Sequence, residues 1–267
     1  MSTLAYSFRD SATMMRRDLR HALRFPMMSI SSIVVPVLFL LLFAGVFGNT
    51  LHAGLGTAIS SGASYIDYLT PGIILMTACA SAETTAVNVS TDMTEGIIAR
   101  FRTMAITRTS VLTGQVIGSG IRTLISGALV VAVAFGLGFR PTATPLGWVA
   151  VIGLFALLTV ALTWLTVAFG LVAKTPAGAN SMSLLIVVLP FVSSAFVPAG
   201  SMPAGVRWFA ENQPFTPVIE TLRGLLTGGP IGHNAILSVA WCVGIAVAGY
   251  LWARARYDRS QPAALAS

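Results

Sequence analysis

Six long apolar runs, separated by short polar segments, constrain this chain more than any motif does. They fall at about residues 30–49, 66–87, 112–137, 145–171, 180–199 and 233–252. Each is close to the roughly 20 residues a helix needs to cross a bilayer core. Of the 267 residues, 55% are hydrophobic and only 9% are charged, and mean hydropathy is +0.81. A soluble domain carries about 25% charged residues, so too few are present here to cover a water-facing surface. Backbone inside a bilayer must satisfy its own hydrogen bonds, and isolated apolar runs of this length do so as helices. The sequence therefore predicts an all-α membrane protein with six transmembrane helices in a single domain, residues 1–267, comprising a segment 1–28, a membrane body 30–252 and a tail 253–267.

The basic residues orient these spans. Five arginines in segment 1–28, three in 88–111, Lys174, and three in the tail fall on one side. The other side holds only Arg140, Arg207 and Arg223, while Arg122 falls inside the third run. Positive loops stay in the cytoplasm, so both termini and segment 88–111 are assigned there. The net charge of +7 reads as this bias and as attraction to anionic headgroups. Nothing in the sequence points to nucleic acid.

Residues 1–28 are too long and too charged for a secretory signal. Leu4, Phe8, Met15, Leu19 and Leu23 form one stripe, and Arg16, Arg20 and Arg24 another, before Pro26 ends the pattern. That is an amphipathic helix lying among headgroups. Segment 91–108 has a similar character. Asp92 stands where an N-cap belongs and Glu95 three positions later, with Met93, Ile97, Phe101 and Met104 at helical spacing. The pattern fits a short helix outside the membrane that docks a soluble partner, and fits an ordinary charged loop equally well. Between 200 and 232, Pro203, Pro214 and Pro217 break an apolar stretch into short pieces, as helices dipping back into the outer leaflet would be, or an amphipathic external loop.

Few residues carry chemistry. Cys79 and Cys242 lie in apolar runs, and His21, His52 and His233 are scattered, so neither a metal nor a disulfide is expected. The single lysine, Lys174, precedes Thr175, but Ala173 and Phe169 stand where a phosphate loop requires glycine. Ser119 between Gly118 and Gly120 lacks the further glycine of an intramembrane serine protease. Gly114 and Gly118 form a small-residue pair suited to helix packing. The chain is thus expected to be no enzyme and to bind no cofactor. Glu83 is the costly residue, a carboxylate inside the second run. Thr77, Ser81, Thr84, Asn88 and Thr91 accompany it as one polar stripe. The stripe is either a wetted substrate pathway or a static contact between helices, with Glu83 paired to Arg122.

Three stretches, YIDYLTPGIILM (65–76), EGIIARFRTMAITRTSVLTGQV (95–116) and FVPAGSMPAGVRWFAENQPFTPVIETLRGLL (196–226), together resemble the permease subunit of type-2 ABC exporters. The likeness is closest to the daunorubicin/doxorubicin-resistance permease group and covers nearly the whole chain. Ala105 follows Thr-Met where relatives often have proline. The resemblance implies a cytoplasmic coupling helix between helices 2 and 3, touching a separate ABC ATPase subunit through Asp92, Glu95, Gly96, Arg100, Phe101, Arg102 and Met104. It implies an N-terminal interfacial connecting helix, re-entrant external helices between helices 5 and 6, and a second permease subunit as homo- or heterodimer. ATP and Mg would sit on the ATPase, and the cargo would be an amphipathic drug or lipid leaving a bacterial cell. A membrane scaffold for a non-ATPase partner, or an ion-coupled transporter using Glu83, are the alternatives from other classes.

Overall fold

The computed structural model describes residues 26–46, 64–95 and 108–259. The described chain is helical: α1 (Pro26–Gly45), α2 (Tyr65–Thr94), α3 (Arg108–Gly136), α4 (Pro145–Val172), α5 (Pro176–Val188), α6 (Ala204–Asn212), α7 (Phe215–Thr227) and α8 (Asn234–Arg259), with 3-10 turns at Leu189–Val192 and Ala199–Ser201. Among the described residues, four regions meet the length and apolarity of a membrane span: Tyr65–Thr94, Thr113–Gly136, Pro145–Val172 and Asn234–Tyr257. The first and fifth expected spans correspond to shorter apolar helices, Ile33–Gly45 and Pro176–Val192.

Local chemistry explains the boundaries. Pro145 and Pro176 each occupy the first turn of a helix, and Thr144 and Thr175 accept from the Gly147 and Gly178 amides at 3.1 Å. Proline just inside a helix start and a hydroxyl before it satisfy the orphan end of the backbone. Thr175, beside the lone lysine, is therefore a helix cap. Pro26 begins α1. Gly228, at φ 74°, closes α7 with its amide on the Gly224 carbonyl at 2.9 Å, a left-handed geometry that glycine adopts without strain.

α2 is the centre of the molecule and packs against α1, α3, α4, α5 and α7. Leu69, Ile73, Leu75, Leu158, Leu162, Ile219 and Leu222 are fully enclosed around it. α4 and α8 make the most extensive pairing. A Cβ on Gly249 would lie 2.6 Å from the Leu165 amide nitrogen, so these two helices meet backbone to backbone. Trp164 against Tyr250 and Phe169 against Trp252 flank that contact edge to face. The outer faces of α4 and α8 expose Leu146, Val149, Ile152, Ile236, Val239, Val247 and Leu251, as a lipid-facing surface would.

The helices alternate in direction. At one end the start of α2 meets the α3–α4 connection, α7 and the segment after α5, through the Asp67, Tyr65 and Tyr68 contacts. At the other end Val89, Val116, Val167, Ala253 and Tyr257 form a second, smaller core around the end of α2. The tail of α8 therefore shares an end with Glu95. The expected helix over 1–28 lies outside the described residues up to position 25, as do tail residues 260–267.

Candidate functional site

Two regions of α2 concentrate the polar chemistry. The first is its lower half, where the expected pathway residues lie. Thr77 and Ser81 are buried, while Glu83, Thr84 and Asn88 are half-buried. The hydroxyls of Thr77, Thr84 and Thr91 donate to carbonyls four residues back, those of Ile73, Ala80 and Val87, at 2.9, 3.1 and 2.9 Å. Such back-bonding removes the desolvation cost of a hydroxyl in an apolar setting. The three threonines of the stripe are thus self-satisfied, whereas the polar groups of Glu83 and Asn88 exceed what the local backbone can absorb. Glu83 forms no ion pair among the described residues, so the pairing with Arg122 is not the arrangement adopted; Arg122 has an interaction of its own. By rise per residue Glu83 sits roughly 17 Å above the end of α2.

The end of α2 differs from expectation. Asp92 does not cap a new helix; it lies in the last turn of α2, which continues to Thr94, and Glu95 is the residue that closes it. The Glu95 amide donates to the Thr91 carbonyl at 2.9 Å. A Ser/Thr/Asp-rich run ending in Glu reads equally as the start of one helix or the last turn of another, and the packing of Val89 and Met93 against the lower core settles it for the latter. Two carboxylates at a helix C-terminus oppose the macrodipole, and no basic residue shares that turn. Asp92 recovers part of this by accepting from Gln115 Nε2 of α3 at 2.9 Å. Glu95 is exposed. Gly96, Arg100, Phe101, Arg102 and Met104 lie outside the described residues.

The second region is the opposite end, where α5 breaks. Pro190 interrupts the helix, which the sequence had carried to residue 199, and residues 193–196 are irregular yet buried. Irregular backbone at such depth needs hydrogen-bond partners, and neighbouring side chains supply them to the Val192, Ser194 and Phe196 carbonyls. Tyr65 OH donates to the Phe196 carbonyl at 3.3 Å, Tyr68 OH to Ser194 at 3.0 Å, and Gln213 Nε2 to Val192 at 2.8 Å. Arg223 of α7 is the keystone. It donates to the carbonyls of Ser194 at 2.8 Å and Tyr68 at 3.2 Å, pairs with Glu220 at 2.7 Å, and stacks 3.7 Å above the Tyr68 ring. Beside it, a Cβ on Gly72 would lie 2.7 Å from the Ala195 Cβ, so only glycine lets α2 approach the break. Asp67 accepts from the amides of Ser64 at 2.9 Å and Arg140 at 3.0 Å, fastening α2 to the α3–α4 connection. The sequence reading missed Arg223, Tyr68 and Gln213. Its available signal was an arginine three residues after Glu220 in a mostly apolar helix, Val218 to Leu226.

The proline-broken stretch does form two short helices. α7 is buried along Phe215, Val218, Ile219, Leu222 and Leu226, whereas α6 exposes Val206, Trp208 and Phe209. Among the described residues no three His, Cys, Asp or Glu side chains converge as a metal site.

A chain of long apolar helices around one buried, polar-faced central helix defines a multi-pass membrane protein. Residues 10–227 match the family described as ABC-2 type transporter, and the chain belongs to that family. It is 27% identical over 208 residues to the daunorubicin resistance ABC transporter permease protein DrrB1 of Streptomyces coeruleorubidus, covering 76% of this chain and 70% of that one. It is 25% identical over 221 residues to the probable doxorubicin resistance ABC transporter permease protein DrrC of Mycobacterium tuberculosis, covering 82% and 77%. It is 30% identical over 206 residues to nodulation protein J of Rhizobium meliloti, covering 72% and 74%. The resemblance drawn from residues 65–76, 95–116 and 196–226 is to the same group.

Proposed function

We propose that this chain is the membrane-spanning subunit of an ATP-driven exporter, powered by a separate ABC ATPase that grips the Glu95 end from the cytoplasm. A second permease subunit, the same or a sister chain, completes the path, and the cargo is an amphipathic drug or lipid. The six-span arrangement with both termini inside follows the arginine bias, and α7 acts as the re-entrant element of the outer face. The observation that carries the proposal is the unbroken run of α2. It reaches from the Tyr68–Arg223–Ser194 cluster to the exposed Glu95, roughly 40 Å at helical rise. A rigid helix of that length hands a displacement at Glu95 directly to the outer closure. The Glu95 carboxylate at its C-terminus, with no basic partner among the described residues, breaks a local stability rule, which is the usual mark of a surface kept for a partner.

Co-expression with an ABC ATPase subunit tests this. Inverted vesicles holding both chains should accumulate doxorubicin only with ATP, and Glu95→Lys should weaken capture of the ATPase, because a misplaced interfacial charge repels. Unchanged capture by Glu95→Lys and by reversal of Arg100 and Arg102 together would remove the coupling assignment.

One observation favours a second reading. Glu83 is half-buried without an ion pair among the described residues, as a proton-binding carboxylate would be. Uptake that persists with ATP depleted, follows an imposed proton gradient and is lost in Glu83→Gln would support an ion-coupled carrier instead.

A further inference from the structure

Two hydrogen-bonded pairs join α2 to α3 in the C-terminal half of α2. The lower is Asp92 Oδ2 with Gln115 Nε2, at 2.9 Å and partly buried. The upper is Thr85 Oγ1 with Ser119 Oγ, both side chains about 1% exposed. The direction of the upper bond can be worked out. Thr85 has one hydroxyl proton and gives it to the Ser81 carbonyl at 3.0 Å; Ser119 must therefore donate to Thr85. The result is a chain from Ser119 through Thr85 to the α2 backbone, in which each bond polarises the next. Gln115 and Ser119 are four apart on α3, so both project to the same side of that helix. The other side of α3 exposes Ile117, Ile125 and Leu129.

Apolar helix faces in lipid have little to fix their register, because hydrocarbon solvates them as well as they solvate each other. Buried polar pairs do fix it, since sliding by one position strands a donor or acceptor. These are the helices joined by the connection 96–107. We propose that Gln115 and Ser119 are positioning residues for transport: with Asp92 and Thr85 they form a two-rung polar ladder that locks α3 to α2, so both stems of that connection move as one body. The inference rests on the permease reading above. It also gives Asp92 an intramolecular task in place of a direct ATPase contact. With the ladder broken, the ATPase still binds and turns over, but its stroke is absorbed as slippage between α2 and α3.

The test uses the permease–ATPase complex in inverted vesicles, reading ATPase capture, ATP hydrolysis and doxorubicin uptake per ATP hydrolysed. Gln115→Glu sets two carboxylates face to face and should lower uptake per ATP roughly fivefold with capture unchanged. The double exchange Asp92→Asn with Gln115→Glu restores one amide donor facing one carboxylate and should return uptake per ATP to near the unsubstituted level. Ser119→Ala, which removes the other rung without adding charge, should lower it in the same sense. Coupling unchanged in Gln115→Glu and Ser119→Ala, or a double exchange no better than Gln115→Glu alone, overturns the ladder while leaving the permease reading intact. An unsubstituted complex that accumulates no doxorubicin with ATP overturns the permease reading, and with it the coupling role of the ladder.

Discussion

A single guanidinium holds the end of the molecule where α5 breaks. Arg223 serves two backbone carbonyls, one carboxylate and one aromatic face at once, and its side chain is 12% exposed. Lysine cannot reproduce that, because it offers a compact point charge instead of a planar fork that can bond and stack together. Arg223→Met should cost about 2–3 kcal/mol through stranded acceptors, a fall of roughly 5–10 °C in the thermal midpoint in detergent. Arg223→Lys should recover less than half of the loss. A midpoint within a degree of the unsubstituted protein for Arg223→Met would show that the break in α5 stands without it. This residue was not legible in the sequence, because its partners are backbone carbonyls from Tyr68 and Ser194. The break that exposes those carbonyls follows from Pro190, but which side chain would fill it depends on tertiary contacts that no periodicity encodes.

At the scale of elements, close approaches explain which glycines matter. Gly249 touches the α4 backbone and Gly170 the Ala86 carbonyl, 2.7 Å from where a Cβ would stand, whereas Gly153 on α4 faces open space. Gly249→Ala should force α4 and α8 apart at a cost of about 1–3 kcal/mol, seen as a lower thermal midpoint and lower yield. Gly153→Ala should be neutral or slightly stabilising, as alanine is the better helix former. Equal effects at both positions would contradict the packing described. Element existence was largely readable here, since four of the six apolar runs meet span criteria as helices. Boundaries were less so. α2 extends past the expected residue 87 to Thr94 because the lower core around Val89 and Val116 supports another two turns. α5 stops short of residue 199 because Pro190 removes a donor, and the chain beyond it is held by side chains instead. The capping pattern at Asp92 and Glu95 failed for a specific reason: it marks a helix end without saying which end.

At the scale of the whole molecule, the two polar clusters sit at opposite ends of one helix. The cluster at the start of α2 joins α2, α7 and the segment after α5; the one at its end joins α2 and α3 beside the exposed Glu95. Between them the polar stripe of α2 keeps Glu83 and Asn88 half-exposed, so a movement of α2 shifts that stripe relative to whatever faces it. The composition announced the membrane and the family resemblance named the external motor. What the sequence could not supply was that α2 runs without a break from Tyr65 to Thr94 and packs against five other helices.

The most direct test of the coupling assignment is the sidedness and protection of position 95. Glu95→Cys can be probed with a membrane-impermeant maleimide, because the native Cys79 and Cys242 are both buried. The account predicts no labelling in intact cells, labelling in inverted vesicles, and loss of that labelling when the ATPase subunit is bound. Labelling from outside intact cells, or labelling in inverted vesicles that the ATPase leaves unchanged, would contradict it.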